Sequence, residues 1–140
     1  MYVGTYKHTI DDKGRIFIPA RFRVQESQKF FVTHWLDKCL AVFPKEEWEK
    51  WQARISDLNP LKTDGRAFNR IFFSGASEAI SDRQGRINLP QHLIDFAGLG
   101  KEAMVIGVSD RFEIWSPEGW RKYQEDAANR YEEIAEKLVE

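Results

Sequence analysis

One stretch of this sequence is written twice. Residues 11–19 read Asp-Asp-Lys-Gly-Arg-Ile-Phe-Ile-Pro and residues 82–90 read Asp-Arg-Gln-Gly-Arg-Ile-Asn-Leu-Pro, so Asp, Gly, Arg, Ile and Pro recur at an offset of 71. A second block recurs at an offset of 72: Val42 and Phe43 answer to Ile114 and Trp115, Glu46 to Glu118, Trp48 to Trp120, Lys50 to Lys122, and Trp51 to Tyr123. The change of offset places one extra residue between the blocks of the second copy. A chain of 140 residues is thereby restricted to two units of one design, because stacked arrays need at least three shorter repeats.

Each copy reads as strand, turn, strand, short helix, two strands and a longer helix. Tyr2 to Ile10 is polar and β-branched without a helical stripe, and is expected to be a strand. Asp12-Lys13-Gly14 is a turn signal, with Gly14 suited to a positive φ, and Gly85 holds the same place in the second copy. In the following strands Ile16 and Ile18, or Ile87 and Leu89, face inward, whereas Arg15 and Phe17, or Arg86 and Asn88, face solvent. A proline closes each strand and opens a short helix, over 19–24 and over 90–97 ending at Gly98. Strands are expected over 30–33 and 39–43, and again over 103–108 and 112–115. A helix over 44–58 carries Trp48, Trp51 and Ile55 on one face. Another, capped by Ser116-Pro117-Glu118, is expected to run unbroken to the C-terminus with Trp120, Tyr123, Ala127, Tyr131, Ile134 and Leu138 on its apolar stripe. Residues 59–66 read as the linker, and 67–73 as a further short helix.

The repeated Asp-x-x-x-Arg signature admits two readings. In one, acid and arginine only brace a hairpin turn. In the other, the acid pre-orients a planar guanidinium for phosphate oxygens or for the O6 and N7 atoms of guanine. Charge bears on the choice. The 21 Lys and Arg against 22 Asp and Glu leave a net charge of -1, so a nucleic-acid function requires cations gathered on one face. Residues 7–23 carry five cations against two acids, and residues 118–140 four cations against seven acids. The second turn reads as less basic than the first, with Glu78 and Asp82 offsetting Arg83 and Arg86.

With Met1-Tyr2-Val3-Gly4-Thr5-Tyr6-Lys7-His8-Thr9-Ile10 ahead of the first motif and Ser81 ahead of the second, the chain resembles the MraZ family of bacterial transcriptional regulators, over essentially its whole length. The resemblance implies an α+β fold in which two tandem AbrB-like swapped-hairpin units form a pseudo-dimer within one chain, with flanking helices. Units at 5–47 and 76–119 and an amphipathic helix at 120–140 are the expected divisions. The resemblance also implies a repressor that binds short direct repeats in the promoter of a division and cell-wall gene cluster. Its partners are double-stranded DNA and further copies of itself in a closed ring, octamer to dodecamer. Lys13, Arg15, Arg83 and Arg86 are the expected DNA contacts, Asp11 and Asp82 orient the arginines, and Gly14 and Gly85 form the turns.

Other chemistries find less in the sequence. His8, His34 and His92 share no ligand spacing with each other or with the single Cys39, and no cofactor or metal is expected. Cys39 reads as a small core residue, and Trp48, Trp51 and Trp120 as packing. Trp35 is expected to be partly exposed at a subunit contact. The enzymatic rival is a magnesium-dependent nuclease using Asp11, Asp12 and His8, although adjacent acids in a strand turn point apart. Gly75-Ala76-Ser77-Glu78 is not a phosphate-binding loop. A third reading is an assembly or protein-capture module of the same fold. No secretory signal or membrane-length apolar run is visible, and a cytoplasmic, nucleoid-associated protein is expected.

Overall fold

The computed structural model describes residues 1–139. Its strands form one six-stranded antiparallel sheet and one two-stranded ribbon. In chain order, β1 (Thr5–Thr9) leads through the first turn to β2 (Arg15–Phe17) and a 3₁₀ turn at Ala20–Phe22. Then follow β3 (Lys29–His34), β4 (Leu40–Pro44), α1 (Lys45–Ser56) and α2 (Thr63–Ser74). The second copy gives β5 (Ser77–Ile80), β6 (Arg86–Asn88), α3 (Gln91–Phe96), β7 (Glu102–Val108), β8 (Arg111–Trp115), α4 (Pro117–Asn129) and α5 (Tyr131–Leu138).

The sheet order β1-β7-β8-β4-β3-β5 shows how the copies combine. The first strand of each copy leaves its own unit and pairs with the other's later hairpin: β1 with β7, and β5 with β3. Meanwhile β4 and β8 pair at the centre, where the equivalent residues Ala41 and Glu113 face each other and a local dyad exchanges the flanking pairs, Leu40 opposite Ile114 and Val42 opposite Phe112. The ribbon is likewise one strand from each copy, β2 with β6. This is the exchanged, pseudo-dimeric α+β arrangement.

Alternation along the central strands separates two layers of core. Phe30, Val32, Leu40, Val42, Phe112 and Ile114 face the ribbon and meet Ile16, Ile18, Ile87, Leu89 and Leu93. The intervening Ala41 and Phe43 face the helices, where Trp48 of α1 stacks on Phe72 of α2 with centroids 5.3 Å apart. Under α4, Trp115 and Trp120 pack edge to face at 5.2 Å, with Cys39 beneath.

Several sequence expectations need correction. The first strand is shorter than Tyr2–Ile10: Gly4 at φ +100° interrupts it after Tyr2, and Tyr2 and Ile10 form only isolated bridges. The segment read as a linker is helical from Thr63, and Gly65 lies inside α2: a Cβ there would sit 2.7 Å from the Asn59 carbonyl oxygen, so glycine permits the helix to lie close to the chain before it. The last helix is broken at Arg130, at φ -113° and ψ 12°, and its final residue, 140, is outside the described ones. Trp35 is half-buried among Phe43, Trp51 and Phe72, with the Arg111 guanidinium 4.8 Å from its ring centre. It thus keeps the partial exposure expected of it, with an aromatic cluster of its own chain against the rest of the side chain.

Candidate nucleic-acid interface

The ribbon places the two copies of the motif side by side. In β2 and β6, Arg15 lies opposite Asn88, Ile16 opposite Ile87 and Phe17 opposite Arg86. The isoleucines point into the core at 1 % exposure each, so the period of two turns both arginines to the outer face, diagonal to each other. The turns are built alike. Gly14 at φ +80° and Gly85 at φ +82° occupy a backbone region that a side chain makes costly. Each turn is also stitched to the other copy: the Leu89 N–H donates to the Gly14 carbonyl and the Ile18 N–H to the Gly85 carbonyl, both at 2.8 Å.

Each motif acid braces its turn and grips its arginine together. Asp11 Oδ1 accepts from the N–H groups of Lys13 (3.0 Å) and Arg15 (2.9 Å), while Oδ2 accepts from Arg15 Nε at 2.7 Å. Asp82 repeats the pattern with Gln84 and Arg86, at 2.9, 2.9 and 2.8 Å. The backbone N–H of Arg15, helped by its guanidinium and the N–H of Lys13, holds the Asp11 carboxyl below the usual range against an opposing desolvation. Arg86 and Gln84 do the same for Asp82. The structural and orienting readings of the motif therefore describe one set of bonds. Because Nε is the atom engaged, no outer nitrogen of either fork makes a hydrogen bond among the described residues, although Arg86 Nη1 lies 4.0 Å from Asp11 Oδ2.

The arginines are less open than their strand positions suggested. Their side chains are 33 % and 21 % exposed, for Arg15 and Arg86. Lys13 and Arg83 are exposed on the first and second turns, without an ion-pair partner among the described residues. Sequence reasoning left Arg23 without a role. Its Nε donates to the Ile18 carbonyl at 2.8 Å and its guanidinium lies over the second turn, against Gly85. The only signal for it was its place in the basic run 7–23. Its position reverses the expected charge ranking. At the first turn Asp11 and Asp12 cancel Lys13 and Arg15, whereas Arg23, Arg83 and Arg86 exceed Asp82 at the second by two charges.

The rival chemistries are not assembled. Among the described residues no three His, Cys, Asp or Glu side chains come together as a metal site. Burial, with Glu113 nearby, drives the Cys39 thiol far above its ordinary value. His92 Nε2 lies 3.1 Å from the Gly75 carbonyl oxygen, and His34 packs against Phe96. No helix among the described residues is long and apolar enough to cross a membrane.

Comparison with known proteins gives the family. A family model described as "MraZ protein, putative antitoxin-like" matches twice, over residues 1–71 and 72–140, dividing the chain as the internal repeat does. Proteins named "Transcriptional regulator MraZ" from Carboxydothermus hydrogenoformans, Heliobacterium modesticaldum and Moorella thermoacetica are 51 %, 50 % and 49 % identical, each over 100 % of this chain and 98 % of the other. The solution structure of PHS018 from Pyrococcus horikoshii aligns with 84 % of this chain and 97 % of that one at 16 % identity and a TM-score of 0.35, too low a likeness to bear on the fold.

Proposed function

The chain belongs to the MraZ family of transcriptional regulators, and from that premise we propose that it is a DNA-binding repressor of a division and cell-wall gene cluster, gripping short direct repeats in the promoter through the ribbon. The observation that carries this is the pair of guanidiniums, Arg15 and Arg86, each fixed at Nε by its own aspartate on one outward face. A fork held in place loses less conformational freedom on meeting phosphate or guanine. Lys13 and Arg83 add charge from the turns, Asp11 and Asp82 set the forks, and Gly14 and Gly85 shape the turns. Residues 5–47 and 76–119 serve as the two DNA-binding halves of this one interleaved body, and 120–140 as an appended helical segment.

So few cations bind DNA weakly and with strong dependence on salt. A closed ring of eight to twelve chains compensates, because neighbouring subunits on evenly spaced repeats raise avidity by about 10² to 10⁴. Supporting the ring are apolar side chains that the single chain leaves uncovered: Tyr131 and Leu138 on α5, Ile71 on α2, and Leu36. The protein acts in the cytoplasm, on the nucleoid. Mobility-shift titration against a direct-repeat promoter fragment across a salt series tests the reading. Tight, salt-sensitive binding that is lost on scrambling the repeats is the expected result. A ring that ignores promoter DNA at low salt and captures a protein instead would replace it with the protein-capture role.

A further inference from the structure

The two ends of the ribbon are related by the local dyad but not alike. Among the equivalent pairs that differ at the offset of 71 are Arg23 and Ile94, Phe17 and Asn88, Arg83 and Asp12, and Lys13 and Gln84. The structure puts these differences where the motif turns are. Gly85 lies under the Arg23 guanidinium, so that a Cβ there would be 2.5 Å from Nε, whereas Gly14 lies under the Ile94 side chain, whose Cδ1 would be 3.4 Å from a Cβ. Phe17, partly exposed, sits between two cations, with the guanidinium carbons of Arg23 and Arg86 at 5.8 and 5.9 Å from its ring centre. At the other end Asn88 offers Arg15 no such face.

The sequence explains why Arg23 is held there. Phe22 is buried against Tyr2, Tyr6 and Phe112, which anchors the preceding 3₁₀ turn. The chain leaves that turn extended, and Nε–H of Arg23 returns to the Ile18 carbonyl. Its two outer nitrogens have no protein acceptor among the described residues. They border an open cleft of about 250 Å³ between Arg23, Gln25 and Glu26 on one side and Asp82, Arg83 and Gly85 on the other. Glu26 reduces the excess positive charge at this end to one, against none at the first turn.

We propose that Arg23 is a further DNA contact, a phosphate anchor present at one end of the ribbon only, and that with Phe17 and Arg83 it sets each subunit on the duplex in a single orientation. This rests on the DNA-binding reading above. A protein surface with equal halves reads a palindrome, each half taking an equivalent half-site. Direct repeats have no dyad, so a pseudo-symmetric ribbon serves them only if its ends differ. The cluster Arg23–Phe17–Arg86 supplies the difference, since one aromatic ring at this end lies within reach of both guanidiniums, and Arg23 offers its fork to a phosphate. Arg86, engaged at Nε by Asp82, is free to address a base edge while Arg23 takes the backbone.

The test is quantitative mobility shift of the full-length protein on a duplex direct-repeat fragment across a salt series. Arg23→Gln is expected to bind about tenfold more weakly, with the slope of log K against log salt shallower by about one. Arg23→Lys is expected to keep the slope. An iron chelate tethered at Gln84→Cys is expected to cut DNA to one side of each repeat. Wild-type affinity and slope in Arg23→Gln, with Arg15→Ala inactive, would overturn the Arg23 assignment and leave the DNA reading standing. Equal losses in Arg23→Gln and Arg23→Lys would make its role packing against Gly85, and cuts shared equally between both sides would overturn the single orientation. If the wild type itself ignores the fragment, or Arg15→Ala binds as well as the wild type, the DNA reading through these arginines falls first.

Discussion

Arg15 and Arg86 converge on one carboxylate. Asp11 Oδ2 lies 2.7 Å from Arg15 Nε and 4.0 Å from Arg86 Nη1, while Asp82 holds only its own arginine within ion-pair distance. The first aspartate thus links the two motifs across the ribbon, which gives the two acids unequal weight.

Arg15→Ala should abolish binding to a direct-repeat fragment in mobility shift while light scattering shows an unchanged assembly size. The arginine lies on the ribbon face, away from the exposed apolar side chains of α5. Arg15→Lys should restore little, because an ammonium cannot make the bond to Asp11 and a planar contact to DNA together.

Asp11→Asn should reduce DNA binding more than Asp82→Asn, since it releases one arginine and removes a charge beside the other. Titration against the same duplex provides the comparison, and equal losses would refute the cross-link.

Acid should weaken the fold through these same groups. Both carboxyls titrate below the ordinary aspartate value of about 4, chiefly because backbone N–H groups of Arg15 and Arg86 donate to the charged form. Their stabilisation is therefore fully present above that ordinary value and is lost as pH falls through the lower folded value. Thermal melts from neutral pH downward should show the loss, and the double variant Asp11→Asn, Asp82→Asn should have a flatter profile below about pH 4.

The two turn glycines should fail differently on substitution. Gly14→Ala brings a Cβ to 2.8 Å from the Leu89 carbonyl oxygen, a backbone atom, on top of a positive-φ cost of about 1–2 kcal/mol. Gly85→Ala has the same φ cost, but its Cβ meets the Arg23 side chain, which can move. Urea unfolding should show Gly14→Ala to be the less stable variant, and Gly85→Ala should also bind DNA with a shallower salt slope.

Phe112 is the meeting point of the ribbon-side core, edge to face with Tyr2 and Phe30 and tilted on Phe22. Phe112→Ala should cost about 3–5 kcal/mol in urea unfolding. Leu138→Ser, at an exposed position on α5, should leave the fold intact and loosen the assembly seen by light scattering.

By itself the sequence determined the local structure: the duplication, the turns at Gly14 and Gly85, the inward set Ile16, Ile18, Ile87 and Leu89, and the pairing of each motif acid with its arginine. These depend on alternation and on backbone preferences of residues a few positions apart, which a sequence displays directly. The MraZ resemblance added the exchanged layout, which residue patterning alone leaves open. Two copies with one pattern make β1 an equally good partner for β3 and for β7, and only the three-dimensional packing of Phe22, Phe30 and Phe112 under the ribbon selects the exchange. Tertiary structure alone also brought Arg23 of the first copy onto the turn of the second, 62 positions from Gly85 along the chain. Charge counted along the sequence ranked that turn as the weaker one. The same holds for the helices: Trp48 on the stripe of α1 found Phe72 of α2 to cover it, whereas Tyr131 and Leu138 on α5 remain exposed, because periodicity identifies a face to bury but not what will bury it.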